Sequence, residues 1–148
     1  MNISQPDIEK LQVNLIRSHS VGVGEPFTPQ ETRAIMFLRA NALSRGHSGC
    51  REIVIDKILE FLNNDIIPVI PSQGSVGASG DLAPLSHLAL ALIGEGKVWL
   101  GGEKVPVTKV LKDKKIEPLV LQAKEGLSLI NGCQVMTAIG LLLSLIHI

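Results

Sequence analysis

The sequence contains few aromatic residues and no tyrosine at all. Aromatic residues make up 3% of its 148 positions, whereas hydrophobic residues as a class make up 45%. Leucine, isoleucine, valine and alanine must therefore build the core, and such a core suits packed helices. A chain of about this length buries roughly 70% of its unfolded surface, which is enough for one domain. We predict a mainly α protein.

The sequence also lacks an excess of charge of either sign. Lysine plus arginine and aspartate plus glutamate number 14 each, so there is no positive field to attract nucleic acid or an anionic membrane surface. The apolar stretch 135–148 is shorter than the roughly 20 residues needed to span a bilayer. We therefore predict neither a nucleic-acid partner nor a membrane, and we interpret this stretch as a buried helix.

Cysteine is scarce, and the histidines form no metal-binding motif. Cys50 and Cys133 lie far apart, and no signal-like segment precedes them, which indicates reduced thiols in a cytoplasmic protein. Three of the four histidines, His47, His87 and His147, match neither a His-Glu-x-x-His motif nor a Cys/His pair spacing. We predict no metal site.

Periodicity and capping signals predict the helices. Thr28-Pro29-Gln30-Glu31 is a capping box with proline at the first helical position, and the helix that it opens ends by Gly46. Two apolar segments flank Gly101-Gly102, which is the pattern of a small β-hairpin near 97–107. A charged connection is expected over 109–117. The other predicted helices cover approximately 7–17, 50–64, 85–93, 119–129 and 133–148.

Both ends of the sequence look interrupted. Helical spacing of apolar residues is already present at Ile8, Leu11 and Leu15, and the apolar pattern at the other end continues to the last residue without a cap. We therefore expect residues 1–148 to be a single incomplete domain, an internal fragment of a longer helical protein.

The unusual feature of the sequence is a glycine-rich loop over 72–84. From Pro71 to Pro84 it reads PSQGSVGASGDLAP. A phosphate-binding loop would end in Gly-Lys-Ser/Thr or would place G-x-G-x-x-G after a strand, and neither pattern is present. A hydrolase nucleophile elbow would need glycine at position 81, where this sequence has aspartate. Both readings are therefore disfavoured.

Residues 78–80 suit a different chemistry, in which the backbone cyclises. The amide nitrogen of Gly80 attacks the carbonyl of Ala78 to close a five-membered ring, and Ser79 loses its hydroxyl as water to leave an exocyclic methylidene. Glycine has no Cβ to obstruct its nitrogen and accepts strained backbone angles. Asp81 is a candidate acid or base for the dehydration steps. The product would be an electrophile.

The segment 74–86, GSVGASGDLAPLS, resembles the signature of the aromatic amino-acid ammonia-lyases. The similarity continues through residues 18–19, 22–26, 39–41, 125–127 and 131–132, and so covers nearly the whole chain. The resemblance implies a helical domain of the ammonia-lyase type. It also implies a 4-methylideneimidazole-5-one group (MIO) formed autocatalytically from Ala78-Ser79-Gly80, and a parent enzyme that is a cytoplasmic homotetramer.

The resemblance also bears on the substrate. Ser18-His19 is similar to the pair found in members that act on histidine, whereas phenylalanine enzymes tend to Phe-Leu and tyrosine enzymes to His-Leu. This implies elimination of ammonia from L-histidine to give trans-urocanate, with His19 binding the substrate imidazole. Asn131 matches a family position beside the prosthetic ring, and Gln134 is a second candidate for substrate binding. Cys133 stands where many relatives have threonine.

Two alternatives stay open at this point. One is a lyase or aminomutase that acts on phenylalanine or tyrosine, and the other is a non-enzymatic helical module that binds an anion on its glycine loop. The resemblance implies that the family's tyrosine base, arginine and glutamate lie outside residues 1–148. We therefore expect the fragment by itself to be inactive.

Overall fold

The computed structural model describes residues 5–77 and 79–146, and it confirms the mainly α fold class. The helices are α1 (Gln5–His19), α2 (Pro29–Leu43), α3 (Glu52–Asn63), α4 (Leu82–Leu92), α5 (Val107–Lys114), α6 (Glu125–Ile130) and α7 (Gln134–Ile146). The strands are β1 (Val23–Pro26), β2 (Ile67–Pro68), β3 (Pro71–Gln73), β4 (Lys97–Leu100) and β5 (Glu103–Pro106).

The start of α2 confirms the predicted capping box. The Thr28 hydroxyl accepts a hydrogen bond from the Glu31 amide at 3.2 Å, and the Glu31 carboxylate accepts one from the Thr28 amide at 2.7 Å. Such a cap contributes about 1 kcal/mol to helix stability. The same helix packs against α3 on one side and α7 on the other.

The centre of the core is α4, an almost entirely apolar helix that packs against α1 and α6. A helix that is apolar on every side is expected to be buried. Leu85, Leu88 and Leu92 are fully buried, together with Ile58 and Phe61 of α3. The glycine-rich loop ends where α4 begins, so one end of the loop is anchored in the core.

The predicted hairpin near 97–107 is confirmed. Strand β4 pairs antiparallel with β5, and Gly101 and Gly102 form the turn with φ of 58° and 87°. Positive φ at both central residues is the requirement of the two-residue turn that best fits twisted strands, and glycine meets it without strain. β2 extends this sheet by pairing with β4.

A second, two-stranded sheet was not predicted from the sequence. Strand β1 pairs antiparallel with β3, with Val23 opposite Gln73 and Pro26 opposite Pro71. The segment that follows α1 therefore lies beside the segment that leads into the glycine-rich loop. This pairing joins two of the predicted functional regions.

Two of the predicted elements were wrong. The charged connection over 109–117 is mostly helix α5, which buries Val107, Val110 and Leu111 at helical spacing while its lysines stay at the surface. The helix predicted over 119–129 begins only at Glu125, because Lys124 has φ of 70° and interrupts it. In the first case the many lysines hid the helical spacing of the three apolar residues. In the second case the helix starts only after the turn in which Lys124 has positive φ.

The apolar C-terminal stretch is only partly buried. Val135 and Ala138 are buried against the core, but Met136, Leu141 and Leu145 are 66%, 49% and 60% exposed. The prediction of a buried helix was therefore wrong for one face of α7, which has no partner in the described part of the chain. His147 lies outside the described residues. By length and hydropathy alone, Glu125–Leu145 would be long and apolar enough to cross a membrane, although residues 131–133 interrupt the helix.

An ion pair between the buried Glu125 and the partly exposed Arg51 connects the start of α3 to the start of α6. The Glu125 carboxylate accepts hydrogen bonds from the Arg51 guanidinium at 2.8 and 2.7 Å, from the Arg51 amide at 3.1 Å and from the Gln122 amide at 2.7 Å. Burial by itself would raise the pKa of this carboxyl, but the hydrogen bonds from Arg51 and Gln122 outweigh it, so the pKa of Glu125 is lowered.

Replacing Glu125 by alanine should lower the free energy of unfolding by about 2 kcal/mol, because the Arg51 guanidinium and the amides of Arg51 and Gln122 lose their acceptor. Since the pKa of Glu125 is lowered in the folded state, its contribution is complete above the ordinary pKa of a glutamate and is lost as pH falls through the lowered value. Urea denaturation at neutral and acidic pH measures both effects, with Glu103→Ala in the exposed β5 as control. A stability difference that does not shrink on acidification would contradict this account.

Candidate active site

The glycine-rich loop occupies residues 74–81 in the structure, between β3 and α4, and is shorter than the predicted 72–84. Gly74, Gly77 and Gly80 have φ of 143°, 66° and 126°, a range that side-chain-bearing residues rarely adopt. Ser79 is exposed and Gly80 is buried, whereas Ala78 lies outside the described residues. The backbone of the loop thus depends on its glycines, as the cyclisation hypothesis requires.

Gly80 lies directly against the backbone of Gly132 in the turn between α6 and α7 (residues 131–133, the α6–α7 turn). A Cβ on Gly80 would lie 2.6 Å from the Gly132 oxygen and 2.8 Å from its nitrogen, which no real side chain tolerates. The amide of Asp81 donates to the Gly132 carbonyl at 2.7 Å. The loop and the α6–α7 turn are therefore in backbone contact.

Asp81 fixes the loop to α7. Its carboxylate is buried and accepts hydrogen bonds from the Ser75 hydroxyl at 2.8 Å and from the Met136 amide at 2.9 Å. Met136 is the third residue of α7, so the Asp81 side chain caps α7. In the sequence, however, Asp81 is the residue immediately before α4. Its predicted role in the dehydration steps remains a prediction.

Arg39 holds the α6–α7 turn from the other side. Its side chain donates to the carbonyls of Leu129 at 3.1 Å, Asn131 at 2.9 Å and Ser128, and to the Gln134 side-chain oxygen at 2.6 Å. Desolvation by burial lowers the pKa of Arg39 to about 10, so it remains a cation at neutral pH.

Sequence reasoning did not select Arg39 as a site residue, although a signal was present. Arg39 lies four residues from both Ile35 and Leu43, on the buried face of α2, and it is itself 3% exposed. A charged residue on an apolar helix face is rarely buried without a specific set of partners. This position therefore indicated a buried cation with backbone acceptors.

Asn131 and Gln134 flank Gly132, the residue that contacts Gly80. Asn131 is the residue that follows α6, and its side chain is exposed while its carbonyl accepts from Arg39. The side-chain oxygen of Gln134, the first residue of α7, accepts from Arg39, and its predicted contact with substrate remains a prediction. Cys133 is exposed and forms no disulfide.

The ring of His19 is held in one tautomer at the end of α1. The Nδ1 atom of His19 lies 2.9 Å from the Leu15 carbonyl oxygen and 3.0 Å from the Ser18 hydroxyl oxygen. The Ser18 hydroxyl also donates a hydrogen bond to the Leu15 carbonyl. A carbonyl accepts only, so Nδ1 carries the proton and Nε2 is left as an acceptor. His19 is half-buried. It can therefore accept a hydrogen bond from a ligand through Nε2.

His87 connects the segment after His19 to α4. Its Nε2 accepts a hydrogen bond from the Gly22 amide at 3.1 Å, and burial lowers its pKa, which favours the neutral ring that this bond needs. A Cβ on Gly74 would lie 3.1 Å from the Gly22 Cα. The segment 20–22 is thus packed against the first glycine of the loop.

Among the residues that the structure describes, neither a ligand cluster nor a large cavity marks the position of the site. In the ranges 5–77 and 79–146, no three potential metal-ligating side chains come together. A cavity of about 580 Å³ lies along the outer side of α3, away from the loop, so cavity size does not identify the site. The loop, the α6–α7 turn and the end of α1 are the regions brought together here.

Comparison with known proteins identifies the family of the chain. The sequence profile of the family described as aromatic amino acid lyase matches residues 1–146. The chain belongs to the aromatic amino acid lyase family. The match covers the glycine-rich loop, the α6–α7 turn and Ser18-His19 together.

Relatives within the aromatic amino acid lyase family include enzymes with different substrates. The histidine ammonia-lyase of Geobacillus sp. (strain WCH70) is 59% identical over 143 residues, which are 97% of this chain and 28% of the relative. A crystal structure of tyrosine aminomutase from Streptomyces globisporus has a TM-score of 0.86 with 48% identity, over 95% of this chain and 26% of the other. The histidine ammonia-lyase of Trypanosoma cruzi has a TM-score of 0.86 with 46% identity, over 93% and 27%.

Two facts follow from these comparisons. The chain spans about 28% of the length of the curated relatives that it matches. Solved structures of a histidine lyase and a tyrosine aminomutase fit the chain equally well, so the lyase fold does not determine the substrate.

Replacing Asp81 by alanine should lower the free energy of unfolding by about 2 kcal/mol, because the Met136 amide and the Ser75 hydroxyl both lose their acceptor. Asp81→Asn should lose less, since its side-chain oxygen still accepts from Met136. Urea denaturation measures the difference, with Ser75→Ala as the control that removes one neutral donor. Equal stability of the parent and Asp81→Ala would show that the cap of α7 is unimportant.

Proposed function

We propose that this chain is part of a histidine ammonia-lyase, which eliminates ammonia from L-histidine without oxidation and releases trans-urocanate. The observation that carries the proposal is the contact of Gly80 with Gly132, in a loop that contains Ala78-Ser79-Gly80. Support for histidine comes from Ser18-His19 and from curated histidine ammonia-lyases at 54–59% identity. The activity belongs to the longer protein, of which these residues form part.

The residues present fit an MIO group made from the chain itself. Ring closure joins the Gly80 nitrogen to the Ala78 carbonyl carbon, and the carbonyl oxygen leaves as water with the hydrogens of the Gly80 and Ser79 amides. A second water takes the Ser79 hydroxyl and its α-hydrogen, so no oxidant or reductant is needed. Gly80 is held at a backbone angle that only glycine adopts easily, in a space that a Cβ would fill.

When formed, the group supplies an electrophilic carbon that attracts electrons from the substrate. The residues of this chain would then bind and orient the substrate around it. His19 offers Nε2 as an acceptor for the N–H of the substrate imidazole, because its Nδ1–H is used within α1. The exposed side chain of Asn131 belongs to the turn that contacts Gly80, and this supports the proposal that it binds the substrate carboxylate or the ring oxygen.

The proposal assigns the base to residues outside this chain. Removal of the weakly acidic β-proton needs a base, and the sequence contains no tyrosine of the kind that the family resemblance implies. We propose that the longer protein is a cytoplasmic homotetramer that supplies this base, and that residues 1–148 alone are inactive. Neither nucleic acid nor a membrane is part of the proposed function.

A second function is favoured by one specific observation, the 48% identity to a solved tyrosine aminomutase. This relative would predict an aromatic amino acid other than histidine and a β-amino acid product. Product analysis of the full-length protein separates the two, because urocanate forms only from histidine.

A helical anion-binding module would show no absorbance above the protein band, because only the cyclised ring adds that chromophore.

If residues 78–80 cyclise, the folded full-length protein should weigh two waters less than its sequence and absorb above the protein band. The Ser79→Ala variant has no hydroxyl to eliminate and should never reach that two-water deficit. Intact-mass measurement of both proteins tests this, with Ser144→Ala at an exposed position of α7 as a control outside the loop. A full-length, folded parent of unmodified mass would refute the proposed prosthetic group.

Replacing His19 by leucine in the full-length enzyme should reduce kcat/KM for histidine by about 5- to 150-fold, the effect of one lost hydrogen bond in a buried site. Activity toward phenylalanine should fall much less, because leucine retains an apolar wall. Steady-state kinetics on both substrates measures the ratio, with His47→Leu at an exposed position as control. An equal loss on both substrates would assign His19 a structural role only.

A further inference from the structure

Arg39 is a buried cation that no step of the proposed reaction uses. Transferring a guanidinium from water to a protein interior is costly unless acceptors surround it. All four acceptors described above belong to residues 128–134: three backbone carbonyls and the Gln134 side chain. The cation therefore stabilises one short stretch of chain, which ends α6 and begins α7.

That stretch forms the surface on which Gly80 rests. A Cβ on Gly132 would lie 2.2 Å from the Arg39 Nη1, and a Cβ on Gly80 would lie 2.6 Å from the Gly132 oxygen. The Gly132 backbone therefore lies between the Arg39 guanidinium on one side and the Gly80 backbone on the other. Because Arg39 is hydrogen-bonded to this stretch, a displaced guanidinium would move the turn that contacts Gly80.

We propose that Arg39 is a positioning residue for ring formation, an inference that rests on the proposed function. It holds the α6–α7 turn against Gly80 and so keeps the Gly80 nitrogen in the position from which the ring closes. The bond changes are those given above, with two waters leaving and no redox partner. The hydrogen bonds of Arg39 all go to residues 128–134, so it acts on the reacting atoms only through Gly132.

The test is the rate of ring formation in the full-length protein, followed by intact mass after synthesis. Arg39→Lys keeps the charge but replaces a planar fork by a single ammonium, which cannot reach all four acceptors. We expect the two-water loss to be at least about tenfold slower, as small misplacements of reacting groups produce. Arg33→Lys is the matched control on the same helix, since its partner Asp65 lies at the surface.

Gln134→Ala is the second variant, because it removes one acceptor of Arg39 without burying a new charge. We expect slower ring formation here too, by a smaller factor, and circular dichroism with a thermal melt shows that each protein is folded. A reduced ring content in folded Arg39→Lys is a result that loss of stability alone does not produce.

The outcomes separate this inference from the proposed function. An unmodified parent would overturn the proposed function, and the role of Arg39 with it. A modified parent with a folded Arg39→Lys variant that cyclises at the parental rate would overturn the role of Arg39 only. If Arg39→Lys does not fold, Gln134→Ala decides, and parental ring formation in that variant would also overturn the inference.

Discussion

The contact between the backbones of Gly80 and Gly132 is the constraint on which the rest of the structure depends. Two segments that are about 50 positions apart in the sequence meet without side chains between them, and the Asp81 amide donates to the Gly132 carbonyl at 2.7 Å. Gly80 cannot be enlarged without moving Gly132, and a Cβ on Gly132 would in turn meet the side chains of Gln134 and Arg39. The conformation of the loop is therefore set by the position of the α6–α7 turn.

Two buried charges hold that turn from opposite sides. Arg39 is bonded to carbonyls at the C-terminal end of α6, and Asp81 is bonded to an amide in the first turn of α7. A cation at a helix C-terminus and an anion at a helix N-terminus are both favourable orientations with respect to the helix dipole. Polar groups inside the protein thus define the geometry, while the aliphatic core around α4 anchors the following segment.

Local features of this chain were predictable from its sequence, and contacts between distant segments were not. The capping box at Thr28 and the turn at Gly101-Gly102 depend on neighbouring residues, and the sequence located both. The pairing of β1 with β3 and the partners of Arg39 depend on segments up to 95 positions away. For the site, the reactive tripeptide was recognisable, but the packing of Gly80 on Gly132 required the folded chain.

The most direct test of this account is a single methyl group placed on the turn that contacts Gly80. Gly132→Ala in the full-length protein should fold but fail to lose two waters, because its Cβ would lie 2.1 Å from the Gln134 Oε1 and 2.2 Å from the Arg39 Nη1 and would displace the two side chains that hold this turn. Gly140→Ala in α7 has no atom within 4 Å of the new Cβ and should cyclise like the parent. Complete ring formation in Gly132→Ala, measured by intact mass, would contradict the account.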